Sequence, residues 1–133
     1  MIMEFRPKKK LGFGLMRLPH IAPDDPSDID IELLKKMVDL FMSKGFTYFD
    51  TAWMYNRHES ERVVRTVLTE RYPRESFTLA TKLNAGYVNS LEDRDRIFDT
   101  QLEKTGAGYF DYYLLHGVDA LNLKKHERFE TFE

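Results

Sequence analysis

Four short apolar runs alternate with amphipathic segments along the chain, and this alternation is the strongest constraint on the fold. Strands are predicted over 11–18, 46–51, 76–83 and 109–116. Helices are predicted over 28–44, 59–72 and 90–106, and a fourth begins near residue 120. Strict alternation with short connections favours parallel strands covered by helices, in a (β/α) barrel or an open α/β sheet.

Individual residues mark where the predicted helices begin and end. The first helix has an apolar residue at every third or fourth position, at Ile31, Leu34, Val38 and Phe41. Gly45 follows it at the position of a C-terminal cap. Pro73 ends the second helix, and Ser90-Leu91-Glu92-Asp93 resembles a capping box in which aspartate replaces the usual glutamate.

Composition excludes several classes of protein. The 133 residues, of which 42% are hydrophobic, suffice for one globular domain, which we assign to 1–133. A net charge of −2 argues against nucleic-acid binding, because there is no basic excess to neutralise phosphates. No apolar stretch approaches the ~18 residues of a membrane span, the N-terminal residues do not support a secretory signal, and the sequence has no cysteine. These features predict a cytoplasmic protein without a membrane partner, disulfide or thiolate metal site.

Length limits how much of a barrel the chain can form. A complete eight-stranded barrel needs roughly 250 residues, whereas this sequence provides about four βα units. We therefore expect the first half of a barrel of the TIM type. Four strands leave two open sheet edges, which favour pairing with another chain, so a homo-oligomer is expected.

Three of the predicted strands end on an ionisable residue after an apolar run: Asp50, Lys82 and His116. Taken singly, the aspartate suits a helix cap, the lysine a solvent-exposed end and the histidine a structural role. The repetition at the same end of successive strands instead favours a shared site, because catalytic residues of barrels lie at the carboxyl ends of several strands. Tyr55, in the loop after Asp50, is expected to reach the same edge.

The chemistry of these four residues is consistent with proton donation to a carbonyl oxygen. Lysine beside aspartate is expected to remain charged, and its charge stabilises the phenolate left by a donating tyrosine. Tyr55 would be the acid, and His116 would orient the substrate oxygen or assist the proton transfer. A Schiff-base aldolase also uses a strand-end lysine, but the neighbouring acid and phenol fit a charged lysine better. A metal hydrolase is disfavoured, because the histidines at 20, 58, 116 and 126 are scattered. Of these, 20, 58 and 126 are interpreted as structural or solvated, in loops or on a surface helix.

The motifs resemble those of the aldo-keto reductases. GFTYFDTAWMYNRHESE is similar to the first signature of that family, LATKL to its lysine segment and YFDYYLLHG to its histidine segment. GFGLMRLP resembles the first strand and loop of bacterial members. The resemblance covers residues 11–120, with the motifs in the family's order.

This resemblance implies a (β/α)8 barrel that reduces aldehydes or ketones with NADPH and without a metal. It assigns Tyr55 as the general acid, Lys82 and Asp50 as the pair that tunes it, and His116 as the residue that orients the carbonyl. Asp50, with Met16 and Arg17 in the first loop, is expected near the cofactor.

Two departures from the family pattern stand out. Family members run to roughly twice this length or more, and most of their cofactor site lies in the second half, so weak or absent reductase activity is expected of the isolated chain. Asn56 follows the tyrosine where many members have glycine. The alternative function is a non-catalytic or regulatory module on the same scaffold, since fold alone does not fix function.

Overall fold

The computed structural model describes residues 9–131, which form one open four-stranded sheet packed against helices. The strands are β1 (Gly12–Gly14), β2 (Tyr48–Asp50), β3 (Thr78–Leu83) and β4 (Tyr112–Leu115). The α-helices are α1 (Ile31–Ser43), α2 (Ser60–Val64), α3 (Leu91–Thr105) and α4 (Leu123–Arg128). The strands follow one another in chain order, and every neighbouring pair is parallel. The predicted parallel α/β architecture is therefore confirmed.

The helix ends follow from their capping residues. The Asp30 carboxylate accepts the Leu33 N–H at 2.9 Å, so α1 begins at Ile31 rather than at residue 28. Gly45 adopts φ +78° just beyond this helix, as its predicted capping position requires. Ser90 Oγ accepts the Asp93 N–H at 3.1 Å, and the Asp93 carboxylate accepts the N–H of Asn89. The reciprocal bond thus reaches one residue further back than in a standard capping box.

The strands and the second helix are shorter than predicted. β1 ends at Gly14, and of the residues that follow, Leu15 and Leu18 pack into the core while the Leu15 backbone N–H still donates to the Asp50 carbonyl. The segment predicted as one helix over 59–72 is α2 followed by a π-helical turn, Arg65–Thr69. Its many β-branched residues have low helix propensity. The predicted buried face is nevertheless present, at Val63, Val64, Val67 and Leu68.

The main hydrophobic core lies between the sheet and the helices. Phe49 and Leu79 point from β2 and β3 toward Leu34 and Val38 of α1, and all four side chains are fully buried. Alternate residues of the strands point to the other face, which carries Asp50 and Lys82. Among residues 9–131, no helix is long and apolar enough to cross a membrane.

Candidate active site

Asp50 and Lys82 form an ion pair at the carboxyl end of the sheet. Asp50 is the last residue of β2 and is paired in register with Ala80, so Lys82 lies two residues further along β3 on the same face. The Lys82 Nζ donates to Asp50 Oδ1 at 2.5 Å and to the Thr51 carbonyl at 2.7 Å. Their side chains are only 14% and 28% exposed, so water competes little with the pair.

Tyr55 and His116 complete a compact group with this ion pair. Their rings meet edge to face, with centroids 5.6 Å apart. The Lys82 Nζ lies 4.7 Å from the centroid of the Tyr55 ring. His116 directly follows β4. Its backbone N–H donates to the Leu83 carbonyl at 2.8 Å, which extends the hydrogen-bond ladder with β3. The structure therefore brings together all four residues that the sequence singles out.

The environment of His116 favours its neutral form. Burial, and next the positive charge of Lys82, lower the pKa of His116, while Asp50 acts weakly in the opposite direction. Its Nδ1 is buried and has no hydrogen-bond partner within residues 9–131. A neutral imidazole presents one N–H donor and one acceptor, so His116 is suited to hydrogen bonding with a polar ligand atom.

A cleft of about 690 Å³ opens beside Tyr55 and His116. This volume lies in the range of small-molecule sites. Met16 and Arg17, in the loop after β1, both line the cleft and are exposed to it. The predicted cofactor loop thus shares one cavity with Tyr55 and His116, and the Lys82–Asp50 pair lies next to Tyr55, with the Lys82 Nζ over its ring.

Asn56, which the sequence marked as a departure from the family pattern, also lines the cleft, whereas His20, Pro26, Met54 and Arg57 were not predicted to do so. His20 is exposed to solvent, in agreement with its interpretation as solvated, but the sequence did not indicate that it lines the cleft. Arg57 pairs with Asp25 at 3.2 Å on the rim. Arg57 comes two residues after Tyr55, the predicted acid, and this proximity in sequence could have indicated that it lies at the cleft.

His58 and His126 have structural contacts. The Nδ1 of His58 lies 3.0 Å from the Trp53 carbonyl. His126 lies on α4, and the interpretation of this residue as structural agrees with its fully buried side chain, whose Nδ1 lies 2.7 Å from Thr131 Oγ1.

A buried polar network that the sequence did not reveal lies behind Lys82, on the helix side of the sheet. Gln101 Nε2 donates to Glu61 Oε1 at 2.6 Å and lies 3.2 Å from both Thr81 Oγ1 and the Lys82 carbonyl. Tyr113 donates its hydroxyl to Gln101 Oε1 at 2.7 Å. Burial raises the pKa of Glu61, while its hydrogen bonds with Thr81 and Gln101 act in the opposite direction.

Comparison with known proteins identifies the family. The model of the aldo/keto reductase family matches residues 10–130. The chain belongs to this family. A Glycine max protein named "Probable aldo-keto reductase 1" is 34% identical over 119 residues, covering 83% of this chain and 33% of that protein. An aldo-keto reductase of Mycolicibacterium smegmatis is 32% identical over 101 residues, covering 74% of this chain and 34% of that protein. The chain thus spans about a third of the length of these curated relatives.

Solved aldo-keto reductases share the fold. A structure from Pseudomonas aeruginosa has a TM-score of 0.71 and 24% identity, covering 91% of this chain and 47% of that one. A structure from Klebsiella pneumoniae in complex with NADPH has a TM-score of 0.58 and 24% identity, covering 88% of this chain and 39% of that one. The four-stranded sheet therefore corresponds to part of an aldo-keto reductase barrel.

Proposed function

We propose that this chain carries the catalytic centre of an NADPH-dependent reductase of aldehydes or ketones, with Tyr55 as the general acid. The observation that carries the proposal is that Tyr55 and His116 line one cleft and that the Lys82–Asp50 pair lies directly against Tyr55. In carbonyl reduction the oxygen gains negative charge as hydride reaches the carbon, so a proton donor must lie beside that oxygen. Family membership supports this class of reaction.

Each side chain has a distinct part in the proposed step. Tyr55 transfers its hydroxyl proton to the carbonyl oxygen. The ammonium group of Lys82, held by Asp50, stabilises the phenolate that remains. His116, kept neutral by burial and by Lys82, donates a hydrogen bond that orients the carbonyl.

Residues in and beside the cleft offer the chemistry that NADPH requires. Met16 offers an apolar surface, and Arg17 offers a charge that suits phosphate. Asp50 keeps part of its carboxylate exposed, so it can accept a hydrogen bond from a ribose hydroxyl. When bound, NADPH supplies the hydride. The NADPH complex of the Klebsiella pneumoniae relative supports this choice of cofactor.

Titration with NADPH, followed by the fluorescence of the nucleotide, separates the two candidate functions. A reductase centre predicts binding that weakens when Arg17 is replaced by alanine. A non-catalytic module on the same scaffold predicts no binding, even in a longer form that completes the barrel. Because the chain spans only about a third of its relatives' length, we expect turnover of a simple aldehyde by the isolated chain to be weak or absent. Turnover at a rate typical of enzymes, above about 1 s⁻¹, would contradict that expectation.

The exposed parts of the sheet suggest self-association. Within residues 9–131, β1 and β4 each pair on one side only, and Leu114 of β4 is 38% exposed on the face that carries Lys82. We propose a homo-oligomer formed through these edges. Light scattering should give at least twice the 15.8 kDa mass of the chain, and a clean monomer would refute the proposal. A cytoplasmic location remains a prediction from composition.

A further inference from the structure

The backbone after Tyr55 has an unusual conformation. Asn56, Arg57 and His58 have φ values of 52°, 53° and 70°, in the left-handed region. This region is unfavourable for residues other than glycine, and asparagine tolerates it better than most. Three such residues in succession persist only where surrounding contacts hold them.

Besides the Arg57–Asp25 and His58–Trp53 contacts described above, this segment is held by Asn56. Its side chain is 7% exposed, and its Nδ2 donates to the Leu15 carbonyl at 2.7 Å. Ser60 Oγ, from the start of α2, donates to the same carbonyl at 3.1 Å. The N–H of Leu15 in turn donates to the Asp50 carbonyl at 2.9 Å. Leu15 is therefore the point where the loop after Tyr55, the loop after β1 and the end of β2 are joined.

We propose that Asn56 is a positioning residue that fixes Tyr55 against His116 and couples it to the Met16–Arg17 loop. This inference rests on the role of Tyr55 proposed above. Glycine at position 56 would accept the same backbone conformation but would donate no hydrogen bond. Aspartate has nearly the same shape, but its carboxylate repels the Leu15 carbonyl. The asparagine amide thus both tolerates the left-handed backbone conformation and donates the hydrogen bond to the Leu15 carbonyl.

Nuclear Overhauser contacts between the Tyr55 and His116 rings test this role in the 133-residue chain without cofactor or turnover. Asn56→Asp and Asn56→Gly are the test variants. Arg57→Asn is the control, because it changes the neighbouring left-handed residue and removes its ion pair with Asp25 while the link from Asn56 to Leu15 stays. Assignment of the ring signals comes from spectra of Tyr55→Phe.

The expected result is loss of the Tyr55–His116 contact in Asn56→Asp and at least a halving in Asn56→Gly, with amide shifts at Met16 and Arg17. Arg57→Asn should keep the contact at its original intensity. If Asn56→Asp fails to fold, Asn56→Gly alone decides the question. A contact unchanged in a folded Asn56→Gly would overturn the proposal, even if urea unfolding showed lower stability, because a merely structural role predicts only the latter.

Kinetics separate this inference from the proposed function. In a completed barrel that turns over, Asn56→Gly should lower kcat by about 10-fold or more with little change in KM, since small misplacements of a reacting group are costly. If Tyr55→Phe retained full activity, Tyr55 would not be the acid, yet the ring-contact experiment would still decide whether Asn56 positions it.

Discussion

Replacing Gln101 with leucine should destabilise the chain strongly, because Gln101 is the centre of the buried network behind Lys82. Its side chain is fully buried, with its Nε2 on the Glu61 carboxylate and its Oε1 on the Tyr113 hydroxyl. Leucine is close to glutamine in volume but makes neither hydrogen bond. The substitution therefore removes polar contacts while leaving little empty space.

The magnitude follows from the two groups that lose a partner. A hydrogen bond to a charged group contributes about 1.5–3 kcal/mol, and a buried hydroxyl left without a partner costs about 1–3 kcal/mol. Burial raises the pKa of Tyr113, so its hydroxyl keeps its proton and still needs an acceptor. We expect Gln101→Leu to lower the free energy of unfolding by about 3–5 kcal/mol, a large part of the ~5–15 kcal/mol typical of a domain.

Urea unfolding, followed by the fluorescence of Trp53, the single tryptophan, measures this change. Tyr113→Phe is the matched variant, because it removes only the hydroxyl and should cost about 1–2 kcal/mol. The double variant has neither the Tyr113 hydroxyl nor the Gln101 amide, so no polar group is left unpaired at this contact. Its loss in free energy of unfolding should therefore be smaller than the sum of the two single losses, by about 1 kcal/mol or more. A loss below about 1 kcal/mol for Gln101→Leu, or additive losses, would refute this account of the network.

Two further predictions concern pH and a helix end. Burial lowers the pKa of both His116 and His126, so below the ordinary histidine pKa of about 6.5 the unfolded chain binds more protons than the folded one. The free energy of unfolding should therefore fall from pH 7 toward pH 5, by up to ~1.4 kcal/mol per pH unit for each residue, and His126→Gln should fall less steeply; parallel curves would contradict this. Gly106 has φ +61° and an added Cβ would lie 3.4 Å from Arg65, so Gly106→Ala should cost about 1–2 kcal/mol in urea unfolding. Gly106→Asn should cost less, because asparagine tolerates this conformation, and equal losses would count against the argument.

The sequence was sufficient to predict the features that repeat along the chain. The alternation of apolar runs and amphipathic segments predicts the parallel strand order, and the ionisable residues at strand ends predict the group at Asp50, Lys82 and His116. Gly45 and Ser90 predict helix ends, because capping depends on local chemistry. The catalytic roles proposed for Asp50, Lys82 and His116 remain predictions.

The features that sequence reasoning missed depend on contacts between distant segments. Glu61 and Gln101 are 40 residues apart, and each alone resembles a polar residue on a solvated helix face. The left-handed segment at Asn56 is likewise held by the Leu15 carbonyl, which lies 41 residues earlier in the chain. The residues around Asn56 therefore did not predict this conformation.

The central claim is that Tyr55 donates the proton in carbonyl reduction. It is tested most directly by kcat for NADPH-dependent reduction of a simple aldehyde, in this chain joined to the C-terminal half of the related Pseudomonas aeruginosa reductase. Tyr55→Phe removes only the hydroxyl, and we predict that it lowers kcat by about 10²–10⁴-fold while NADPH affinity is retained. A Tyr55→Phe variant that turns over at the rate of the unmodified chain would contradict the account.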